Sequence, residues 1–279
     1  MDLVFSDVHA DIEALETIID IATSKEFEEK YGKIDRIINL GDVLERGTHP
    51  KQVLQRLISV EKQYPTISVV GNHDEAFLYK KRVSASSLES ISAHEALGLD
   101  ELSFFKTNYD CTFGNQQFLD TKNHLFCVHG GPLDPKKITP KNAGSKSWLY
   151  QRSWQRLSEE NFEFFSYAGY HYLPSSAFNE VKKSFSNFII LCGHQHLETV
   201  LKQDDKVVQE ISTSTKTKHE KLSNHHLDAK EFEINPSSNY LVRLGLAGPE
   251  GYYGSGTAQP KFGIIQNNPR KVILFTVKK

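Results

Sequence analysis

Five short stretches concentrate side chains that bind metal ions: Asp7-Val8-His9, Gly41-Asp42, Gly71-Asn72-His73-Asp74, His129-Gly130-Gly131 and Gly193-His194-Gln195-His196. Their donors are Asp7, His9, Asp42, Asn72, His129, His194 and His196. A set of imidazoles, carboxylates and an amide oxygen, with no thiolate, suits divalent first-row metals. Manganese is the foremost candidate, with iron, zinc, cobalt or nickel as alternatives. Seven ligands are enough for two ions if one carboxylate bridges them. Two such ions can lower the pKa of a shared water and clamp the oxygens of an in-line displacement at phosphorus.

Each stretch follows an apolar run that reads as a strand. Leu3 to Phe5, Ile34 to Leu40, Ile67 to Val70, Leu125 to Val128 and Phe188 to Cys192 precede the five in order. Ligands of open α/β sheets bind beyond the carboxyl ends of strands, so five strand ends can converge on one crevice. In extended backbone, residues i and i+2 point to the same side, which predicts that Asp7 and His9 reach one ion together, as do His194 and His196. The adjoining glycines permit sharp turns.

The same alternation of strands with helical spacing (Ile12 to Ala22, and Val53 to Ile58 after Pro50) predicts an α/β fold. Further strands are expected at Gln116 to Asp120, Thr199 to Leu201, Val207 to Ile211, Tyr240 to Leu246, Phe262 to Ile265 and Val272 to Val277. The late strands lack intervening helices, so the sheets should be mixed. Short polar helices with a serine-rich joint, Ser84 to Ser92, mark an insertion at about 75–110, and an aromatic-rich stretch marks another at about 132–187. Because motifs and insertions interleave, residues 1–279 count as one domain. Residues 212–239 are polar and read as an exposed excursion, carrying His219, His225 and His226 at the surface. The glycines from Gly245 to Gly256 read as a flexible loop near the site.

The five stretches in this order resemble the signature of the calcineurin-like metallophosphoesterase superfamily. The resemblance implies two mixed sheets packed as a sandwich, flanked by helices and capped by the insertions. It further implies that Asp7, His9, Asp42 and His196 hold the first metal, and Asp42, Asn72, His129 and His194 the second. A metal-bridging hydroxide would be the nucleophile. Gly41 to Gly47, with His129-Gly130-Gly131, is also similar to motifs of the phosphoprotein-phosphatase branch, and the Arg46 motif followed by Gly71-Asn72-His73-Asp74 resembles diadenosine tetraphosphate hydrolases. On that likeness Arg46 grips the phosphate and Glu45, where the branch usually has aspartate, orients His73. His73 would protonate the leaving oxygen or steady the phosphate, with Glu45 or Asp74 favouring its charged form. The paired His194 and His196 are closer to the wider superfamily.

These readings converge on a metal-dependent phosphohydrolase acting on a phosphate ester or a polyphosphate nucleotide. The alternatives are a serine/threonine phosphoprotein phosphatase and a metal-free scaffold of the same fold. The scaffold reading expects lost ligands, whereas all seven are present with His73. Residues 134–156 hold Lys136, Lys137, Lys141, Lys146, Arg152 and Arg156 against one acid, Asp134. If that run borders the site it attracts a polyanion, with Arg152, between Trp148 and Trp154, as the expected contact. His171 reads as structural.

A net charge of −2 argues against a nucleic-acid partner or an anionic membrane surface. No apolar run reaches the ~18 residues of a membrane span. Cys111, Cys127 and Cys192 are too few and scattered for a disulfide framework and are expected as buried thiols. With no export signal at the start of the sequence, a cytoplasmic location is expected.

Overall fold

The computed structural model describes residues 1–81, 86–166, 168–222, 224–248 and 259–278. The first third of the chain alternates β1 (Asp2–Phe5), α1 (Ile12–Thr23), α2 (Lys25–Tyr31), β2 (Arg36–Asn39), α3 (Pro50–Glu61) and β3 (Thr66–Ser68). Helices α4 (Asn72–Leu78), α5 (Leu88–Glu95) and α6 (Leu99–Tyr109) precede the hairpin of β4 (Gln117–Asp120) and β5 (Leu125–Val128). Residues 132–187 then supply α7 (Pro135–Ile138), two 3-10 turns, β6 (Arg156–Leu157), β7 (Phe164–Ser166), β8 (Gly169–Tyr172) and α8 (Pro174–Val181). The remainder is all strand: β9 (Ile189–Cys192), β10 (Thr199–Asp204), β11 (Val207–Glu210), β12 (Lys218–Leu222), β13 (His225–Glu233), β14 (Asn239–Arg243), β15 (Lys261–Asn267) and β16 (Arg270–Lys278).

Two mixed sheets form the body, one ordered β12-β13-β16-β15-β1-β2-β3 and the other β11-β10-β14-β9-β5-β4. In the first, β1, β2 and β3 run parallel; in the second, β5, β9 and β14 do. The expected sandwich of two mixed sheets is therefore the observed one. The period-2 pattern explains how it packs. Val4, Ile38, Cys127, Leu191 and Val242 point between the sheets. Their neighbours Leu3, Phe5 and Ile37 point outward, against Leu15, Ile18, Phe27, Leu54 and Leu57 of α1, α2 and α3. On the far side, Phe126, Val128, Ile190 and Leu241 pack against Ala177, Phe178 and Val181 of α8. Strands buried on both faces read as unbroken apolar runs, which is why β5 and β9 were legible as strands.

Residues 212–239 differ from expectation. In place of an exposed excursion they hold the β12–β13 hairpin, with β13 paired to β16 from His226 to Glu233. Alternate residues Leu227 and Ala229 enter the helix-side core, while Phe232 enters the core between the sheets. The hairpin looks polar because it forms the sheet's edge and its charges pair across strands. Glu231 bonds Lys218 at 2.6 Å and also Lys271, and Asp228 meets His219 at 2.6 Å. Charged side chains at an edge discourage pairing with another chain. The serine-rich joint also differs: Ser87 accepts from Ser90 N and caps α5, so residues 88–92 are helical. Ser84 itself, and residues 249–258 of the glycine-rich stretch, lie outside the described residues. Cys127 and Cys192 are buried, with burial pushing both thiols up to about 12; Cys111 is only partly buried. Among the described residues no helix is long and apolar enough to cross a membrane.

Opposite the strand ends that carry the motifs, Arg36 ties the sheets together. Its guanidinium donates to Asp120 of β4 at 2.6 Å and to Asp2 of β1. Burial would raise the pKa of Asp120, but Asn123 and Arg36 outweigh it and hold the carboxyl at about 2. Removing one partner of a mostly buried pair leaves uncompensated charge. Arg36→Met should therefore lower stability in urea unfolding at pH 7 by ~3 kcal/mol. Asp120 has a depressed folded pKa, so its contribution exists above the ordinary carboxylate value and fades as pH falls towards 2. The gap between wild type and Arg36→Met should accordingly narrow from pH 4 to pH 2.

Candidate metal centre

The five blocks leave the carboxyl ends of β1, β2, β3, β5 and β9, so both sheets contribute to one crevice. What aims their side chains is not strand alternation. Asp7, His9, Ala10, Asp42, Glu45, Arg46, His194 and His196 all have φ between 48° and 68°. These eight are two thirds of the twelve non-glycine residues with positive φ among those described. Such conformations are costly for L-residues and collect at functional sites. Asp7 and His9 converge because the chain coils left-handed after β1, not through extended i and i+2 geometry, and His194 and His196, expected by that geometry to reach one ion together, fall in different ligand groups.

Hydrogen bonds between blocks hold these turns. Asp7 N donates to Gly41 O at 2.9 Å, His9 N to Asp42 O at 2.9 Å, and Gly193 N to His129 O at 2.8 Å. The blocks also touch too closely for a side chain between them. A Cβ on Gly71 would lie 2.0 Å from Asp42 Oδ1, and one on Gly193 would lie 1.9 Å from Ser6 Oγ. Asp74, expected beside His73, does something else. Its carboxylate accepts from the backbone N–H groups of Asp42 (2.7 Å), Val43 (3.0 Å), Leu44 (3.2 Å) and Gly71 (3.0 Å), fastening the Asp42 turn to the start of α4.

All seven expected donors come together in two overlapping groups. Asp7, His9 and His196 form one trio, and Asp42, His129 and His194 the other, each with its ligand atoms within 4.8 Å of one another. Asn72 Oδ1 joins the second trio, 3.1 Å from His129 Nε2. Asp42 Oδ2 lies 3.2 Å from His129 Nε2 and 3.9 Å from His9 Nε2, so this one oxygen faces both groups. His9 Nε2 and His196 Nε2 approach to 3.3 Å, and His196 Nε2 is 3.2 Å from Asp7 Oδ1.

The donor chemistry fits cations. His129 Nδ1–H donates to Leu40 O at 2.7 Å, which aims Nε2 at the oxygens of Asp42 and Asn72, where a proton or a metal cation must sit. Lone pairs facing one another at such distances need a positive centre between them. Ligand atoms about 2.1 Å from one ion lie roughly 3.0–3.4 Å apart, as the closest of these pairs do, whereas His9 Nε2 and Asp7 Oδ1 are 4.0 Å apart. Asp7 Oδ1, Asp42 Oδ2 and His194 Nε2 are buried with no hydrogen-bond partner. Burial alone would raise Asp42, but the His129 and His73 imidazoles hold it well below the usual carboxylate range. Asp7 is likewise lowered, by His196 and His129, against its burial. Burial lowers His129, yet Asp42 outweighs it and lifts the imidazole to about 9; His9 and His194 are driven well below the ordinary value by desolvation. Two buried carboxylates that stay ionised require compensating positive charge.

Beside these groups runs a short chain of hydrogen bonds. Arg46 Nη2 is 2.8 Å from His73 Nε2, and His73 Nδ1 is 2.8 Å from Glu45 Oε2. Arginine only donates. Nε2 of His73 is therefore the acceptor and Nδ1–H points at Glu45. A cleft of about 270 Å³ opens over Asp42, Arg46, Asn72, His73, Arg156, His194, Gln195 and His196.

The basic run reaches this cleft through Arg156, not Arg152. Arg152 serves the site with its backbone: its carbonyl accepts from Gly130 N (3.2 Å) and Gly131 N (2.9 Å), behind His129. Its guanidinium is partly buried, with Asp134 and Glu180 as its electrostatic partners. Gln195, also missed, explains why Arg156 is there. Its amide accepts from Leu157 N at 2.6 Å and donates to Leu157 O at 3.1 Å, tying β6 to the turn that carries His194 and His196. The only signal for Gln195 was its place between those histidines. His171 stacks on Phe164 with ring centres 4.1 Å apart.

Residues 3–198 match the family model described as calcineurin-like phosphoesterase. No curated protein sequence matches the chain. Among solved structures, a metallophosphoesterase from Sphaerobacter thermophilus superposes with a TM-score of 0.59 at 18% identity, covering 99% of this chain and 87% of its own. A hypothetical protein from Pyrococcus horikoshii OT3 gives 0.58 at 12% identity, over 98% and 87%. A protein serine/threonine phosphatase from Saccharomyces cerevisiae gives 0.54 at 15%, over 100% and 79%. At these identities the likeness is one of fold. The family match spans the β1-to-β9 core and every motif within it, and the chain belongs to the calcineurin-like phosphoesterase family of metal-dependent phosphoesterases.

Proposed function

We propose that the chain hydrolyses a phosphate ester or a polyphosphate nucleotide, with Asp7, His9, Asp42 and His196 holding one divalent cation and Asp42, Asn72, His129 and His194 a second. Such ions, manganese foremost, supply Lewis acidity towards phosphoryl oxygens and lower the pKa of a water between them. The observation that carries the proposal is the Glu45–His73–Arg46 chain, with 2.8 Å links on both sides of His73, set directly against the two ligand groups.

The protein's own part follows from that geometry. Arg46 and Arg156 line opposite contributions to the cleft, and a guanidinium can pair with two phosphate oxygens at once. When the phosphoryl group arrives, Arg46 exchanges its bond to His73 Nε2 for those oxygens. Nε2 is then free to take a proton from solvent, while Glu45 holds Nδ1–H and keeps the ring in place. His73 delivers that proton to the leaving oxygen. Asp42 Oδ1 accepts from His73 N at 2.8 Å, fixing the start of α4 against the bridging carboxylate.

The cleft's lining supports the substrate class. Its lining residues are all polar or charged, and two arginines favour a substrate with more than one phosphate.

Manganese-dependent hydrolysis tests these roles. His73→Ala should lower kcat on phenyl phosphate by ~10²–10⁴-fold, the ordinary worth of a general acid. Arg46→Met should lower kcat/KM by about 10²–10³-fold, as for loss of one charge-stabilising donor. Unchanged rates in either variant would remove that residue from the mechanism. In a panel of diadenosine tetraphosphate, bis-para-nitrophenyl phosphate and a phosphoserine peptide, the highest kcat/KM is expected for the tetraphosphate. A clear preference for the peptide would overturn the nucleotide reading in favour of a phosphoprotein phosphatase.

A further inference from the structure

Glu45 and Arg46 both have left-handed backbone, with φ of 65° and 68°. Their consecutive N–H groups point away from any strand ladder and need partners elsewhere. Both partners come from the segment around α5. Glu45 N donates to His94 Nε2 at 2.8 Å, and Arg46 N donates to Ser86 Oγ at 3.2 Å.

His94 is built for this bond. It is buried near the end of α5, and its Nδ1–H donates to Ser90 O, one turn back, at 2.7 Å. With Nδ1 committed as donor, Nε2 presents a lone pair to the Glu45 N–H. Phe77 of α4 packs against the imidazole, ring centres 5.7 Å apart, and Phe105 of α6 backs Phe77 at 5.6 Å. The ring is thus packed between α4 and its own helix, and its Nε2 meets the backbone of the residue whose carboxylate holds His73.

We infer that His94 is a positioning residue for proton transfer: by fixing the Glu45 backbone it sets where the Glu45 carboxylate meets His73. The inference rests on the reading of His73 as general acid. It gives the segment before α6 a task at the site, since α5 reaches the catalytic arm through Glu45 N. A displacement of about 1 Å at a reacting group can cost on the order of 10²-fold in rate.

The test uses the full chain loaded with manganese and two substrates that differ in leaving group, phenyl phosphate and para-nitrophenyl phosphate. Nitrophenolate departs without needing a proton. His94→Leu should lower kcat on phenyl phosphate by roughly 30–100-fold and on para-nitrophenyl phosphate by less than about 5-fold, with bound manganese unchanged by elemental analysis. His94→Gln should recover most of the loss, because its amide oxygen can accept from Glu45 N–H while the helix is kept. In a Glu45→Gln background, His94→Leu should cost less than about 3-fold, since residues acting as one unit are not additive. Equal losses on both substrates, or the full cost persisting in the Glu45→Gln background, would overturn the role. Should His94→Leu fail to fold, His94→Asn, whose shorter amide cannot reach Glu45 N–H, carries the same decision with the same expected outcomes, alone and in the Glu45→Gln background. If His73→Ala itself shows no leaving-group dependence, the general-acid reading fails; non-additivity with Glu45 still decides whether His94 acts through that carboxylate.

Discussion

The Asp42 carboxylate sits where the constraints on this protein meet. One oxygen accepts from His73 N and packs against Gly71, too close for any side chain there. The other faces His129 and His9 with no hydrogen bond of its own. Its backbone N–H is bound by Asp74. A buried carboxylate kept ionised is expensive unless positive charge surrounds it. Here four imidazoles and a second carboxylate, Asp7, share the same small volume, so the fold has assembled a charge pattern that divalent cations complete.

That requirement explains features with little value to stability on their own. Eight site residues adopt left-handed backbone, which no core strand would tolerate without compensation. The compensation is visible in the bonds that knit one block to the next and in the four N–H groups gathered by Asp74. The two sheets must also stay in fixed relation, because β1, β2 and β3 supply donors from one and β5 and β9 from the other. The apolar layer between them and the Arg36 link at the opposite pole serve that end. A third layer of control lies in the segments between motifs: Gln195 holds Leu157 and so presents Arg156, Arg152 holds the two glycines after His129, and His94 holds Glu45.

Much of this was legible in the sequence because metal ligation needs particular side chains, and strand ends are marked by apolar runs that stop at glycine. The seven residues that the structure gathers at the crevice were legible that way, while Glu45 and Arg46 stood out only through the resemblance to the phosphoprotein-phosphatase motif. What escaped were contacts made by backbone groups or by residues of common type. Arg152 and Arg156 are chemically alike in sequence, and only the Gln195 clamp on Leu157 decides which enters the cleft. Asp74 looked like a partner for His73, yet its carboxylate is spent on backbone N–H groups no sequence pattern displays. The β12–β13 hairpin reads as an exposed excursion because its strands alternate charge with few large aliphatics, and the pairing of β13 with β16 joins residues distant in sequence, from Glu233 with Lys271 to His226 with Lys278. Left-handed turns at Asp7 and His194 had no signal at all, since neither is glycine.

The central claim is that two cations share Asp42. Crystals grown with manganese and measured for anomalous scattering test it most directly. The account predicts two anomalous peaks in the crevice, one contacted by Asp7, His9 and His196, the other by Asn72, His129 and His194, with Asp42 touching both. A single peak, or two peaks of which one lacks Asp42, in an enzyme that is fully active under the same conditions would contradict it.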